Sequence, residues 1–319
     1  MGGAGSALSP HRPRDGVTSQ GGSGLIAPEE RVDDESDPWP LDQPFRGPNS
    51  DRLTGIRIPP RHLWLFRRRQ LRKRWYYVSF WSPELLLCAA RVEVGPLVQR
   101  YWAVWDRQER QLTKHTRYLR RPVKFHDDPR LMRIDDRGVR AEVTLDPSDE
   151  FVVYRPEGRA YIWSRKALCV GARATVTVGG VTREVEGVAF VDDNAGYHFR
   201  HTRWRWSAGA GVDTQGRMVA WNAIVGLFDT EKNSERTLWI DGVPAELEEV
   251  EFSEDLAVVT FKEGGSVRFE READLLKRVG LLLIQSNYDH AFGSYSGTLP
   301  GGIELREAFG VRERQDALW

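Results

Sequence analysis

Cysteine and methionine are scarce in this 319-residue chain, at 2 and 3 residues. Cys88 and Cys169 each sit in an apolar run (Leu85-Leu86-Leu87-Cys88-Ala89-Ala90 and Ala167-Leu168-Cys169-Val170), without the spacing of a metal or redox site. They read as buried reduced thiols, which suits a reducing compartment. Long apolar runs are also missing: nothing approaches the roughly 18 residues of a membrane span. The start, Met1-Gly2-Gly3-Ala4-Gly5, lacks the basic-then-apolar order of a secretory leader. A cytoplasmic protein with no transmembrane segment is the expectation. Nucleotide and hydrolase signatures are absent too. No Gly-x-x-x-x-Gly-Lys occurs, Gly209-Ala210-Gly211 lacks the third glycine of a dinucleotide turn, and Gly293-Ser294-Tyr295-Ser296-Gly297 carries a tyrosine where a nucleophile elbow needs serine. His198 and His201 are three apart in an expected strand, hence on opposite faces. Neither a cofactor nor a metal is expected.

Net charge is the remaining absence, 46 Lys+Arg against 46 Asp+Glu, but it is a cancellation. Residues 1–51 hold 4 basic and 9 acidic side chains (−5), residues 52–133 hold 20 and 6 (+14), and residues 134–319 hold 22 and 31 (−9). The densest run is Arg67-Arg68-Arg69-Gln70-Leu71-Arg72-Lys73-Arg74. It could bind an anion or pair with the acidic remainder. The aromatics follow the run rather than interleave with it as stacking platforms would, so pairing within the fold is favoured and nucleic acid is not expected as a partner.

What the chain has in abundance is aromatic and β-branched residues in short runs, with 12 Trp, 9 Tyr and 13 Phe. Residues 1–51 are the exception, rich in Gly and Pro with few aliphatics, and read as a disordered tail that docks at most through Trp39 and Phe45. From Trp75 onward about fifteen strand-like runs follow, separated by turn pairs such as Gly179-Gly180, Asp241-Gly242 and Gly264-Gly265. Ala172, Ala174, Val176 and Val178 alternate with Arg173, Thr175 and Thr177, as in a half-buried antiparallel strand. Only Arg271–Arg278 could form a helix. The pattern predicts an all-β chain of two antiparallel barrels or sandwiches packed together, covering 52–190 and 191–319. No repeat is visible at the level of residue identity.

The densest chemistry lies in Asp192-Asp193-Asn194-Ala195-Gly196-Tyr197-His198-Phe199-Arg200-His201-Thr202-Arg203-Trp204-Arg205-Trp206. The Asp192-Asp193-Asn194 and Gly196 group reads as a turn leading into a strand. In an unbroken strand from Tyr197, His198, Arg200, Trp204 and Trp206 share one face while His201, Arg203 and Arg205 share the other. Cations mixed with rings fit a polar-lined cavity, or Arg–Trp stacking on an exposed face. A second constellation comprises Trp221-Asn222 in a strand, then His290 in an expected polar turn, where an imidazole can exchange protons near neutral pH.

The motifs Lys73-Arg74-Trp75-Tyr76-Tyr77, Tyr101-Trp102-Ala103-Val104-Trp105-Asp106, Arg200 to Trp206, Leu238-Trp239-Ile240-Asp241-Gly242 and Phe292 to Gly302 occur in that order. With them the chain resembles a bacterial and fungal family catalogued as domain of unknown function 2804. It is more distantly similar to double lipocalin-like barrels such as carotenoid hydratases and tocopherol cyclase. The resemblance implies a lipocalin-like fold and no established activity. Where the hydratases carry an aspartate–histidine motif, this chain has Asp192-Asp193-Asn194 ahead of the Arg/Trp strand.

The expected function is binding of an apolar or amphipathic small molecule in a Trp/Arg-lined cavity, with cofactor-independent, acid-catalysed hydration, cyclisation or isomerisation. Trp204, Trp206 and Trp221 would form walls, and Asn222 lies beside them. His201, Arg203 and Asp193 would orient a polar head, and Asp193 or His290 would supply the proton. The alternatives are a non-catalytic carrier of hydrophobic ligands, and carbohydrate binding or hydrolysis by two carboxyls about 5–9.5 Å apart.

Overall fold

The turns predicted from glycine pairs are hairpins. Gly179 and Gly180 have φ of 59° and 86°, and Asp241 and Gly242 have 49° and 85°, the two positive values that a type I′ turn needs. Around such turns the computed structural model is almost wholly β. It describes residues 42–118, 122–127, 130–146, 148–280 and 285–319, and these contain two single 3₁₀ turns and no α-helix. Residues 1–41, and with them most of the expected tail and Trp39, lie outside the described residues.

Thirteen strands precede residue 197: β1 (Phe45–Gly47), β2 (Phe66–Arg67), β3 (Gln70–Leu71), β4 (Lys73–Trp81), β5 (Leu85–Val94), β6 (Leu97–Asp106), β7 (Gln111–Arg117), β8 (Val123–Asp127), β9 (Arg130–Asp136), β10 (Val139–Thr144), β11 (Glu150–Glu157), β12 (Ala160–Val178) and β13 (Val181–Gly196). Ten follow: β14 (His201–Asp213), β15 (Met218–Val225), β16 (Thr237–Ile240), β17 (Val243–Glu246), β18 (Val250–Phe252), β19 (Val258–Phe261), β20 (Ser266–Asp274), β21 (Lys277–Gly280), β22 (Gln285–Leu299) and β23 (Ile303–Leu318).

The first sheet runs β7-β6-β5-β4-β13-β12-β10-β9-β8, with β11 also on β12 and β1 on β11. The second runs β17-β16-β15-β14-β23-β22-β20-β19-β18, with β21 also on β22. Adding ten to each label of the first order reproduces the second, so the chain is a duplication of one curled half-barrel. In each half a hairpin of long strands, β12–β13 or β22–β23, forms the spine.

Side-chain alternation gives each sheet two buried faces. On β4, Val78 and Phe80 enter the core inside the first half-barrel, whereas Tyr77 and Trp81 enter a core shared by both sheets. The second half-barrel encloses its own core around Trp221, Phe269 and Tyr295. On β12, Ala172, Ala174 and Val176 are buried and Arg173 and Thr175 exposed, the alternation read from the sequence. The basic and acidic segments meet, as at Arg74–Asp193 (3.4 Å), Arg107–Glu272 (2.8 Å) and Arg117–Asp136 (3.0 Å).

Four local expectations are corrected. Asp192-Asp193-Asn194 is strand, because β13 is held between β12 and β4 and both carboxylates have cationic partners. The strand expected to run unbroken from Tyr197 begins at His201, after residues 197–200 cross from one sheet to the other. Arg271–Arg278 is no helix, since β20 extends through Asp274 on β22. His290 likewise lies inside β22 rather than in a turn, with neighbours on both sides.

Candidate functional site

The duplication places equivalent residues face to face. Across β12, β13 and β4 one rung reads Lys166, Asp192, Tyr77. Across β22, β23 and β14 the corresponding rung reads His290, Glu313, Trp206. Two residues along, Ser164, Asn194 and Trp75 match Tyr288, Gln315 and Trp204. The matched rings meet between the sheets: Trp75 stacks on Trp204 with centroids 5.6 Å apart at 21°, and Tyr77 stands edge-on to Trp206 at 5.7 Å and 85°. Offset and edge-to-face pairs of this kind are the favoured aromatic arrangements. The repeat was hidden because little identity survives. Its trace is Arg74-Trp75-Tyr76-Tyr77 against Arg203-Trp204-Arg205-Trp206, an Arg-Trp-x-aromatic pattern that occurs twice.

A cavity of about 920 Å³ opens along this seam, within the range of small-molecule sites. Trp75, Trp204 and Trp206 wall it together with Val92, Ile224 and Leu275, and two polar clusters interrupt the apolar surface.

The first cluster is built on Glu313. Its Oε2 accepts from the Tyr288 hydroxyl at 2.7 Å and lies 2.9 Å from His290 Nδ1, and its Oε1 accepts from the Trp204 indole at 2.6 Å. The Tyr101 hydroxyl lies 3.0 Å from that of Tyr288. With Nδ1–H directed at the carboxylate, His290 Nε2 is left as an acceptor, and the Tyr77 hydroxyl faces it at 3.5 Å. Burial raises Tyr77, Tyr101 and Tyr288 well above the usual phenol value, so all three remain hydroxyls at neutral pH. Tyr77, Tyr101, Tyr288 and Glu313 line the cavity, whereas His290 is fully buried behind them.

The second cluster is Lys166, Asp192 and Glu235, all lining the cavity. Lys166 Nζ lies 2.6 Å from Asp192 Oδ1 and 3.3 Å from Glu235 Oε1. Burial pushes Glu235 up to about 7, with Lys166 opposing it, and burial raises Asp192 in the same way. Against the pull of burial, the two carboxyls hold the Lys166 ammonium above its ordinary value. Among the described residues no group of three or more His, Cys, Asp or Glu is arranged to hold a metal.

The residues singled out in the sequence divide into three groups. Trp204 and Trp206 line the cavity, and Asn222 supports it from behind: its Oδ1 accepts from the Trp206 indole at 2.7 Å and its Nδ2 donates to the Glu235 carbonyl at 2.7 Å. His290 reaches the cavity through Tyr77 and Tyr288. The others face elsewhere. Asp193, one residue from Asp192, points to the opposite face of β13 and pairs with Arg74 and Arg165 at 3.4 and 3.5 Å. His201 and Arg203 are exposed and share Asp316. Trp221 is sealed in the second half-barrel's core, donating to Ser207 at 3.0 Å. The sequence reading missed Trp75, Tyr77, Tyr101, Lys166, Asp192, Glu235, Tyr288 and Glu313. The repeated Arg-Trp-x-aromatic pattern would have found Trp75 and Tyr77.

Residues 121–319 match the model of the family described as Domain of unknown function (DUF2804). No curated protein matches the chain in sequence. Solved structures similar to it include kievitone hydratase from Nectria haematococca, with TM-score 0.48 and 11% identity over 76% of this chain and 88% of that one. A protein described as AttH from Nitrosomonas europaea gives 0.42 and 12% over 81% and 97%. CghA with Sch210972 gives 0.42 and 10% over 77% and 88%.

Proposed function

Because the chain belongs to the family catalogued as domain of unknown function 2804, whose description assigns no activity, we propose its function from the cavity. The protein binds an apolar or amphipathic small molecule between its two half-barrels and performs acid–base chemistry on it, of the hydration, cyclisation or isomerisation kind. The observation that carries this reading is the line Tyr77, His290, Glu313. A phenol at the cavity surface gives or takes the proton, a buried imidazole relays it, and a carboxylate holds the imidazole in the tautomer that leaves Nε2 free. The aromatic lining of Trp75, Trp204 and Trp206 suits an extended π-system or a transient cation.

Native mass spectrometry of protein purified from its own host identifies the retained ligand, and turnover of that ligand tests the chemistry. Glu313→Gln should lower turnover by a factor on the order of 100 or more, while Asp193→Asn should stay within a few-fold of wild type. Equal turnover in wild type and Glu313→Gln would overturn the relay. A carrier reading draws on a different observation. Leu97, Tyr118 and Leu276, at 54%, 56% and 59% exposure, rim the cavity, and such a rim suits exchange of an apolar ligand with another surface. It predicts bound ligand recovered unchanged.

A further inference from the structure

The relay leaves the second polar cluster unused, although it occupies the matching rung of the duplicated fold. We infer that Lys166, Asp192 and Glu235 form a proton-donating site in the same cavity as the Tyr77–His290–Glu313 base, and that the substrates are neutral conjugated carbonyl compounds isomerised by moving a proton between two carbons. This rests on the cavity reading above.

The argument begins with charge. Two carboxyls share one ammonium within a buried wall, and the nearby Arg46 guanidinium directs its hydrogen bonds to Ser234, Arg236 and Thr237. Full ionisation would therefore leave one carboxylate without a directly paired cation, and a retained proton removes that charge. Glu235 is the candidate to hold it. Its side chain is 1% exposed, and Oε2 makes no well-formed hydrogen bond, while Lys166 and the Ser164 hydroxyl oppose the upward pull of burial. The groups facing the pair are Lys166 and Ser164 on β12, Asp192 on β13, Arg46 on β1 and, towards Asp192, Glu313 on β23. The other rung has the opposite balance, one carboxylate within hydrogen-bond reach of the Trp204 indole, the Tyr288 hydroxyl and His290 Nδ1. In the tautomer with Nδ1–H on Glu313, the imidazole Nε2 is an acceptor. The cavity thereby holds an acid at Glu235 and a base centred on His290 and Glu313, with Tyr77 beside Asp192 on the adjacent strand.

On a conjugated carbonyl compound, the base side removes a proton from an acidified carbon. The C–H electron pair enters the π-system, and the carboxyl proton forms a new C–H bond at the far carbon. The product is an isomer, and the two sites recover their starting states by exchanging one proton with solvent. No oxidant, reductant or co-reactant is required. Burial of both sites strengthens each electrostatic interaction relative to water.

The acid can be read without a substrate. Infrared difference spectra of the full chain, titrated from pH 5 to 9, should contain a protonated-carboxyl band that disappears with a midpoint near 7. Glu235→Gln should abolish the band. Asp192→Asn, which removes a neighbouring charge that raises Glu235, should move the midpoint to lower pH. A band unchanged in both variants would overturn the assignment. 4-Dimethylaminochalcone, a neutral conjugated ketone, serves as the cavity probe. Its absorption when bound should lie further to the red at pH 6 than at pH 8 in wild type, with no such difference in Glu235→Gln. Identical bound spectra in the two proteins would overturn the donor role. Failure of the chalcone to bind any form would count instead against the cavity reading, with the carboxyl band still deciding the acid.

Discussion

His290 and Glu313 stand directly opposite each other on β22 and β23, with Nδ1 2.9 Å from Oε2. The pairing sets which imidazole nitrogen faces Tyr77. Glu313→Gln should therefore redistribute the imidazole tautomers, read as a change in the ¹⁵N shifts of His290, and should cost about 1–3 kcal/mol from the disturbed buried hydrogen bonds. Unchanged ¹⁵N shifts would mean that Glu313 does not control the ring.

Glu235 makes stability depend on pH in a stated direction. Its pKa in the fold, about 7, lies above its usual value of 4.5, so the folded state binds the proton more tightly than the unfolded chain. The stabilisation is full below pH 4.5 and is lost as pH rises through 7, to a total on the order of 3 kcal/mol. Urea unfolding should show wild type losing stability relative to Glu235→Gln between pH 5 and 8. A parallel pH dependence in the two would contradict it.

Trp206 joins cavity and core, packing against Tyr77 and Phe190 while its indole donates to Asn222. Trp206→Ala should destabilise by about 3–5 kcal/mol and weaken chalcone binding at least tenfold. Asn222→Ala should do less to stability and should still disturb the probe spectrum, since Asn222 also holds the Glu235 backbone.

Asp193 tests the division between structure and chemistry. Its two arginine partners are partly exposed, so Asp193→Asn should cost about 1–3 kcal/mol in unfolding measurements. Chalcone affinity should change less than twofold. A large loss of affinity at full stability would place Asp193 in the site.

At the rim, Leu97→Ser together with Leu276→Ser should slow chalcone uptake in stopped-flow fluorescence and leave the equilibrium spectrum of the bound probe unchanged. Uptake at the wild-type rate would remove these side chains from the entry path.

Much of the fold was legible. Alternation such as Ala172 to Val178 and turn pairs such as Gly179-Gly180 are local signals, since backbone sterics and one buried face dictate them. The exceptions were polar segments inside long strands. Asp192-Asp193-Asn194 and the neighbourhood of His290 have turn-like composition, and only pairing on both flanks makes them strand. The site was half legible for the same reason. Trp204 and Trp206 announced themselves by density, but the side of β13 that faces the cavity is a matter of strand parity, and parity depended on where a strand begins. A shift of one residue separates Asp193, held by two arginines, from Asp192 at the cavity wall.

By itself, then, the sequence determined the all-β class, the hairpin turns and a concentration of aromatic and charged residues near its middle, because these follow from local sterics and hydrophobic patterning. Tertiary structure decided that the chain is one half-barrel used twice, and that residues 77, 166, 192, 235, 290 and 313 converge on one cavity. That convergence comes from register between strands far apart in the chain and from two sheets packing face to face. Long-range pairing sets both, and no local pattern records it.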